Sequence, residues 1–481
     1  MSVGSTVAGP TLERPLQPAR HRVVIVGGGA AGTLCAVHLL RAAKGAELEL
    51  TLVDSQGTFG PGVAYGTNDP LHVLNVPATR MGGISGQPEH FHLWLRRRGH
   101  TAGPEDFLPR GLFGTYLRGL LGEAESAAAP AAVLTRRTGK VVSVEQVGLG
   151  EAPVVLALED GTRLAADHAV LALGPLPGGD PVPVPAELRA SGTYVADPWA
   201  EGALDPVRGD DSVLIIGTGL TMVDVAISLA SARRGPRIRA VSRHGLVARR
   251  HRDDLTRLSH FPVPVDQGLE GIVAAVIEEI GRVAQQGGDW RDVLDSMRRS
   301  TPAVWRQLPV ADKRRFLENL QRIWDVHRFR MAPAVADRFD ACVEAGRIRV
   351  KACSISALEP HGDGARAYLH VPGRKELEAL DVDRVINCAG AGVKLTRQAP
   401  APLLDLLATG LARPDELGIG IDVAEDGALI GADGTPSARI HVAGALRKGC
   451  EWEAIGITEI RDHAEAIAQS VLSVGVNGAV R

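Results

Sequence analysis

Two glycine-rich turns, each between a predicted strand and a predicted helix, constrain the fold of this chain more than any other feature. The first lies in HRVVIVGGGAAGTLCAVHLLRAA, where Gly27, Gly29 and Gly32 follow a β-branched run at GxGxxG spacing. The first glycine allows the tight turn, the second lets the backbone approach a pyrophosphate, and the third lets helix and strand pack closely. Because the helix N-terminus would face the phosphates with its partial positive charge, the pattern predicts a dinucleotide site.

The strand that follows this helix supports the prediction. It reads ELELTLVD and ends at Asp54, about 20 residues beyond the glycines, where an acid binds a ribose hydroxyl. A second turn lies in SVLIIGTGLTMVDVAISLA, with Gly217 and Gly219 at the first two glycine positions and Met222 at the third. We expect a looser contact between helix and strand there.

The strand after the second turn reads RIRAVSRHG and carries Ser242, Arg243 and His244 where an acid would stand. An acid would repel a 2′-phosphate, whereas an arginine would pair with it, so this end favours NADPH over NADH. The alternative is a solvated basic turn. Because the two turns differ in character, we expect two dinucleotides, FAD at the N-terminal turn and NADPH at the internal one.

The chain has 481 residues, too many for one hydrophobic core. We predict an α/β fold with two Rossmann-like dinucleotide-binding domains and a helical insert. The expected division is a disordered tail at 1–20, an FAD-binding domain formed by 21–200 and 380–481, and an NADPH-binding domain at 205–379. Helical periodicity with spaced tryptophans places the insert at about 252–340.

Composition excludes several classes of function. The net charge of -3 gives no electrostatic footprint for nucleic acid. The five cysteines are scattered without a CxxC pair, which argues against a metal cluster, a redox dithiol or a disulfide framework and fits a reducing cytoplasm. We find no signal peptide or membrane span in the sequence. No metal site is predicted, and the oligomeric state is left open.

Two further stretches are candidates for function. WDVHRFRMAP brings His327, Arg328 and Arg330 together before a proline break, as an anion clamp or as the exposed last turn of a helix. In ARIHVAGALRKGCEWEAIGITEIRDHAEAIAQSVL, a strand, a turn at Gly444 and a polar loop lead into a long helix from about 454. Such a helix N-terminus predicts a second site facing the cofactor, completing the FAD domain.

The predicted cofactor contacts follow from these turns. For FAD they are Gly27, Gly29, Ala31, Gly32, Asp54, Gly174 and Gly444, and for NADPH they are Gly217, Gly219, Leu220, Thr221, Ser242 and Arg243.

Seven stretches occur in an order that resembles a known family: VVIVGGGAAGTL, GVAYGTNDPLHVLNVPATRM, YVADPWA, VLIIGTGLTMVDVAISL, SRHGL, WDVHRFRMAP and HVAGALRKG. Together they resemble the two-dinucleotide flavoproteins that include L-aspartate N-monooxygenase, which forms nitrosuccinate, and FAD-dependent urate hydroxylase. The likeness extends from about 21 to 470, and AYGT…HxLNVPA is its most specific part. It implies that NADPH reduces the flavin, which takes up O2 to form a C4a-hydroperoxide, and that one oxygen passes to a small substrate.

The resemblance gives a role to the loop VAYGTNDPLHVLNVPATRMGG, which we expect to cross the isoalloxazine. Asn75 is the candidate for a hydrogen bond near the reactive edge of the flavin, and its alternative is a turn former. His72 is the candidate proton shuttle, and its alternative is a satisfied loop histidine.

Two substrates are open under this resemblance. L-Aspartate, hydroxylated at its amine, would need cationic clamps, for which Arg80, Arg328 and Arg330 are candidates. Urate would need stacking aromatic rings, and an aromatic content of 4% favours the amino acid. A reading from another class is an NADPH-dependent flavoprotein reductase.

Overall fold

The computed structural model describes residues 21–43, 47–146, 154–231, 235–253, 261–390, 392, 394–396 and 398–477. The expected disordered tail at 1–20 lies outside the described residues. The described residues form seventeen strands: β1 His21–Val26, β2 Leu48–Asp54, β3 Ala132–Thr138, β4 Val141–Gln146, β5 Val154–Leu158, β6 Arg163–Ala166, β7 His168–Leu171, β8 Tyr194–Val195, β9 Ser212–Ile216, β10 Arg237–Ser242, β11 Ile348–Ala352, β12 Ser354–His361, β13 Gly364–His370, β14 Glu378–Val382, β15 Arg384–Asn387, β16 Ala428–Ile430 and β17 Pro436–Val442.

The same residues form fifteen α-helices: α1 Ala30–Ala42, α2 Gly62–Tyr65, α3 His90–Arg97, α4 Arg110–Ala128, α5 Ala186–Ala190, α6 Leu220–Ala230, α7 Gly268–Gln285, α8 Trp290–Ser296, α9 Thr301–Gln307, α10 Val310–Arg315, α11 Gln321–Arg328, α12 Pro333–Glu344, α13 Ala401–Ala408, α14 Lys448–Glu451 and α15 Ile457–Asn477. A π-helical segment, Phe316–Leu320, joins α10 to α11. No described helix combines the length and the apolar character that a membrane crossing requires.

The first sheet has the order β16-β17-β7-β1-β2-β3, with every neighbouring pair parallel except β16 and β17. Helices α1, α4 and α15 cover one face, and their apolar side chains share a core with β1 and β2. Strands β4–β6 and helix α13 cover the other face. Because both faces are covered, the central strands are almost continuously apolar, as parallel strands are in this architecture.

The second sheet has the order β11-β10-β9-β15-β8 and is parallel throughout. Helices α6 and α12 pack on one face, and β12–β14 pack on the other. The predicted fold class, two dinucleotide-binding modules with a helical insert, is confirmed. We call the unit built on the first sheet the FAD module and the unit built on the second sheet the coenzyme module.

The structure corrects the expected boundaries between the modules. Strand β8 falls within the expected FAD segment 21–200, and β15 falls within the expected FAD segment 380–481, yet both pair in the second sheet. The coenzyme module therefore extends past 205–379 at both ends. These strands have only two and four residues, so their short apolar runs carried too little pattern to assign them to a sheet.

The insert between β10 and β11 is helical, as its periodicity predicts. Helices α7 to α11 occupy most of 268–328, and α12 returns the chain to β11. The insert contacts the FAD module through the chain that follows Gly444, since Trp305 packs its ring 4.9 Å from that of Trp452 and donates from Nε1 to the carbonyl of Gly449 at 2.8 Å. This contact closes the groove between the modules.

Candidate active site

The first glycine turn has the geometry that a pyrophosphate needs. Gly27 has φ +109°, and a Cβ there would lie 2.2 Å from the carbonyl oxygen of Ala172. A Cβ on Gly32 would lie 1.9 Å from the carbonyl oxygen of Gly27, so this position requires the close contact that glycine allows. At Gly29 the nearest atom to a Cβ would be 3.5 Å away, which leaves room above the backbone. Helix α1 begins there without a side-chain cap, so its amides are available to an anion.

Asp54 lies at the end of β2, beside this turn. Its Oδ2 accepts from the Gly28 amide at 2.9 Å, and its Oδ1 accepts from the amides of Gln56 and Thr58. The carboxylate therefore shapes the turn itself. Its position at the strand end is the one expected for a ribose contact.

Gly174 and Gly444 follow the ends of β7 and β17, and both have positive φ, +74° and +79°. A Cβ on Gly444 would lie 3.2 Å from the Cβ of Ala31, in the first turn of α1. The Gly444 turn thus packs directly against the start of the helix that would face the pyrophosphate.

The second glycine turn repeats the design. Gly217 has φ +107°, and a Cβ there would lie 2.2 Å from the carbonyl oxygen of Cys388. A Cβ on Gly219 would have no described atom within 4 Å, and α6 begins there without a side-chain cap. Met222 stands in place of the third glycine and is completely buried in the core of the coenzyme module. The donor set and the open space fit a second dinucleotide.

The first turn of α6 carries the remaining predicted coenzyme contacts, Leu220 and Thr221. Ser242 ends β10, and its Oγ is hydrogen-bonded to Thr218 Oγ1 at 2.8 Å. Arg243 is exposed one residue further on. Ser242 and Arg243 lie at the strand end that contacts the ribose in a Rossmann fold, and Leu220 and Thr221 lie at the helix start that faces the pyrophosphate.

A cavity of about 280 Å³ lies between the loop that follows α2, the helical insert and the start of α15. Five of the residues predicted from the sequence line it, namely Asn75, Arg80, Leu220, Arg328 and Arg330. Leu220 belongs to the first turn of α6, so the cavity reaches the start of the coenzyme helix. The volume is at the small end for ligand sites.

His72 is not among the residues that line the cavity. The Thr67 hydroxyl is 2.6 Å from its Nδ1, its Nε2 is 3.0 Å from Ser228 Oγ, and Ser228 in turn donates to Asp69. Burial and the nearby Arg110 lower the pKa of His72. His72 is therefore hydrogen-bonded between the modules and outside the cavity, and its role as a proton shuttle stays a prediction.

Arg328 and Arg330 make different contacts, although one residue separates them. Arg328 donates from Nε and Nη2 to the two carboxylate oxygens of Glu453, at 2.9 and 2.8 Å, and both side chains are buried. Arg330 donates from Nη2 to Asp295. Its Nε and Nη1 are buried and have no hydrogen-bond partner among the described residues, and the residue is 2% exposed. Arg328 is therefore engaged by a protein carboxylate, whereas Arg330 keeps free donors.

Arg80 is a half-buried residue of the cavity wall, and within the described part of the chain no hydrogen bond or ion pair engages its guanidinium. The cavity wall also holds Arg298, whose guanidinium donates to both oxygens of Glu459 at 3.2 Å. In all, five arginines (80, 110, 298, 328 and 330) and four carboxylates (Asp224, Asp295, Glu453 and Glu459) line the cavity, which leaves one net positive charge.

His251 is a cavity residue that sequence reasoning missed. Its Nε2 donates to the backbone carbonyl of Asn75 at 3.0 Å, which attaches the loop to the coenzyme module. Burial, and then the charge of Arg330, lower the pKa of His251 to about 3, so the ring is neutral. Nothing local indicated this contact, since the two residues are 176 positions apart.

The carboxylate of Glu453 is positioned by an unusual turn. Trp452 has φ 48° and ψ −59°, and the amide of Glu453 donates to the carbonyl of Glu451 at 2.6 Å. This is the γ-turn of positive φ, which is rare and strained for a residue with a side chain. The Trp452 ring is held by Trp305, and thus buried packing maintains the turn.

Glu451 anchors the other side of this turn. Its carboxylate accepts from His463 and Arg447, both at 2.5 Å, and from Arg306 at 2.8 Å. Burial alone would raise the pKa of Glu451, but the hydrogen bond from His463 and the nearby Arg447 hold it well below its usual range. Glu451 is therefore a fixed anion inside the FAD module.

Helix α15 begins at the cavity, where Gly456, Ile457 and Thr458 form part of the wall. The helix has 21 residues, so its N-terminus carries a substantial partial positive charge. The helix start expected near 454 is at Ile457. An electron-rich ring edge or an anion is the group that this helix end favours.

Comparison with known proteins supports the fold and the cofactors. Residues 24–176 match the family model described as FAD-NAD(P)-binding. A search of curated proteins found no match. Among solved structures, the chain is similar to a Kutzneria sp. 744 ornithine N-hydroxylase holding reduced FAD, NADP⁺ and L-ornithine, with 16% identity, a TM-score of 0.63, and coverage of 96% of this chain and 100% of that one.

Two further structures show the same fold. L-Lysine 6-monooxygenase from Pseudomonas syringae has 16% identity and a TM-score of 0.60, with 95% of this chain and 99% of that chain covered. The bacillithiol disulfide reductase of Bacillus cereus has 16% identity and a TM-score of 0.55, with 95% and 100% covered. The predicted cofactor pair, FAD with a nicotinamide dinucleotide, is confirmed, and the chain has the two-dinucleotide fold that flavoprotein monooxygenases and reductases share.

Proposed function

We propose that this protein is an FAD- and NADPH-dependent monooxygenase that oxygenates the nitrogen of a small anionic substrate. The best candidate is L-aspartate, hydroxylated at its amine towards nitrosuccinate. The observation that carries the proposal is Arg330, a buried guanidinium with free donors on the wall of a small cavity next to the start of α15. Bound FAD, reduced by NADPH, would supply activated oxygen from O2 in this cavity.

The free arginines argue for a carboxylate in the substrate. A buried cation with unpaired N–H groups is costly, and a carboxylate that accepts from them removes the cost. Arg330 and Arg80 both line the cavity and offer such donors. Arg328 does not, because Glu453 already engages its fork, so we assign it the role of positioning Glu453.

The charge of the cavity also suits an amine substrate. An amine attacks electrophilic oxygen only when it is neutral, and nearby cations lower the pKa of an ammonium group. The excess positive charge of the wall would therefore favour release of the proton once the carboxylates are held. Asn75 offers a neutral amide beside the same space.

A substrate screen with the FAD-loaded protein tests the proposal. NADPH and O2 are supplied with L-aspartate, L-ornithine, L-lysine or urate, and the oxygenated product is followed by mass spectrometry beside hydrogen peroxide. Succinate, which has the carboxylates of L-aspartate without its amine, should inhibit without being oxygenated. The proposal fails if no substrate raises product formation above uncoupled peroxide.

The same screen tests two alternative functions, a urate hydroxylase and a flavoprotein reductase. Urate hydroxylation would need stacking rings, which among the cavity residues are offered by Tyr65, Phe329 and the smaller ring of His251. A flavoprotein reductase is favoured by the fold shared with the bacillithiol disulfide reductase, yet none of the described cysteines lines the cavity. Electron transfer to an added acceptor without oxygenated product would identify a reductase.

A further inference from the structure

Arg322 reaches from the helical insert to the second glycine turn. It lies in the first turn of α11, and its Nη2 donates to Thr218 Oγ1 at 3.2 Å and to the carbonyl of Leu246 at 3.0 Å. The side chain is half-buried, and among the described residues no carboxylate lies within ion-pair distance of it. Burial lowers the pKa of Arg322, and the charge of Asp325 only partly offsets this. An anion would therefore stabilise this guanidinium.

The place that Arg322 occupies corresponds to one part of the coenzyme. Thr218 lies between Gly217 and Gly219, and its hydroxyl is hydrogen-bonded to Ser242 at the end of β10. In Rossmann modules, the 2′ position of the adenosine ribose lies between the glycine turn and the end of this strand. That strand end has no acid here, so a 2′-phosphate would meet no repelling charge.

We propose that Arg322 binds the 2′-phosphate of NADPH and sets the preference for the phosphorylated coenzyme. The inference rests on the proposed use of NADPH and deepens it, because it adds a contact from the helical insert to the one predicted for Arg243 in the Rossmann module. The same helix carries Arg328, which holds Glu453 at the cavity. One helix would then connect the coenzyme site to the substrate site.

The test measures binding, so it requires no knowledge of the substrate. Kd values for NADP⁺ and NAD⁺ are determined by calorimetry on the FAD-loaded wild type, Arg322→Ala and Arg322→Lys. Arg299→Ala is the matched control, because Arg299 is an exposed arginine of the same insert that does not line the cavity. Adenosine 2′,5′-bisphosphate and 5′-AMP serve as a second pair of ligands that differ only in the 2′-phosphate.

We expect Arg322→Ala to weaken NADP⁺ binding about 10- to 100-fold, because the 2′-phosphate loses a charged hydrogen-bond partner. The Kd for NAD⁺ should stay within about twofold of the wild-type value. Arg322→Lys should retain part of the preference and Arg299→Ala all of it. The bisphosphate should lose affinity in parallel with NADP⁺.

Two results would overturn the inference. Equal weakening of NADP⁺ and NAD⁺ would show that Arg322 only fastens the insert to the turn. A wild type that binds NADP⁺ and NAD⁺ equally would also contradict the inference. The monooxygenase proposal would not be affected by this result, because the product screen tests it separately. If the Arg322→Ala protein does not retain FAD, the Arg322→Lys variant is used instead. If that variant binds NADP⁺ and NAD⁺ more weakly by the same factor, its preference for NADP⁺ is unchanged and the assignment is contradicted.

Discussion

Acid should destabilise the FAD module through a pair of buried histidines. His168 in β7 and His441 in β17 lie on neighbouring strands with ring centroids 6.0 Å apart, and both are almost completely buried. Burial is the main cause that lowers the pKa of each from 6.5 to about 4, and for His168 the second cause is the charge of His441. The folded module therefore keeps both rings neutral where the unfolded chain would protonate them.

The direction and magnitude of this loss of stability follow from proton linkage. Because the folded pKa is the lower one, the stability contributed is fully present above pH 6.5 and is lost as the pH falls towards 4. A shift from 6.5 to about 4 corresponds to about 3 kcal/mol for each histidine when the loss is complete. At pH 5 the loss is about 2 kcal/mol for each histidine.

The variant His168→Phe isolates this effect. It removes one titrating ring and costs no hydrogen bond at Nδ1, which has no partner among the described residues. The Tm of the FAD-loaded protein is followed by flavin fluorescence from pH 8 to pH 5. At about 2–4 °C per kcal/mol for a unit of this size, the variant should lose about 4–8 °C less than the wild type over this range.

The matched control is His100→Phe, at an exposed histidine of the same module. This variant should follow the wild type at every pH. Parallel Tm curves for the wild type and His168→Phe would refute the reasoning, because they would mean that the buried pair contributes nothing to acid unfolding.

Four further outcomes are expected. Arg330→Lys should lower kcat/KM on the substrate found in the screen about 30-fold or more, since a point charge replaces the guanidinium donors, and unchanged kinetics would remove the residue from the substrate site. Asn75→Ala should raise the ratio of peroxide to product with FAD content unchanged, and loss of FAD instead would make it a structural residue. Gly27→Ala should abolish FAD retention, measured by absorbance after gel filtration, because its Cβ would lie 2.2 Å from a carbonyl oxygen. Arg243→Ala should reduce the preference for NADPH over NADH in steady-state kinetics, and an unchanged preference would leave it a solvated turn residue.

Local sequence patterns were sufficient for the elements that a dinucleotide requires. The turns at Gly27 and Gly217 need backbone conformations that only glycine adopts freely. The glycines between a predicted strand and a predicted helix are therefore enough to predict these turns. The loop at Asn75 and the stretch at Arg330 were found through their unusual density of polar groups. Their meeting in one cavity agrees with both predictions, although each was made without knowledge of the other.

The remaining features depend on contacts between distant parts of the chain. Glu453 and Arg328 are 125 positions apart in the sequence, and the residues around them do not predict the ion pair. His72 lies outside the cavity and is hydrogen-bonded to Ser228, and the local sequence could not show this because the two residues are 156 positions apart. Strands as short as β8 have too few residues to show the alternating pattern of a β-strand.

The helical insert, which belongs to the coenzyme module, is joined to a single short segment of the FAD module by three ion pairs. Arg306, Arg298 and Arg328 reach the carboxylates of Glu451, Glu459 and Glu453 in turn, and all three carboxylates are buried or nearly so. Removing one partner of a buried pair such as Arg328 and Glu453 costs about 3–5 kcal/mol, and rotating one module away from the other would break this pair together with the two more exposed ones. We therefore expect the two modules to remain docked while a coenzyme binds and leaves.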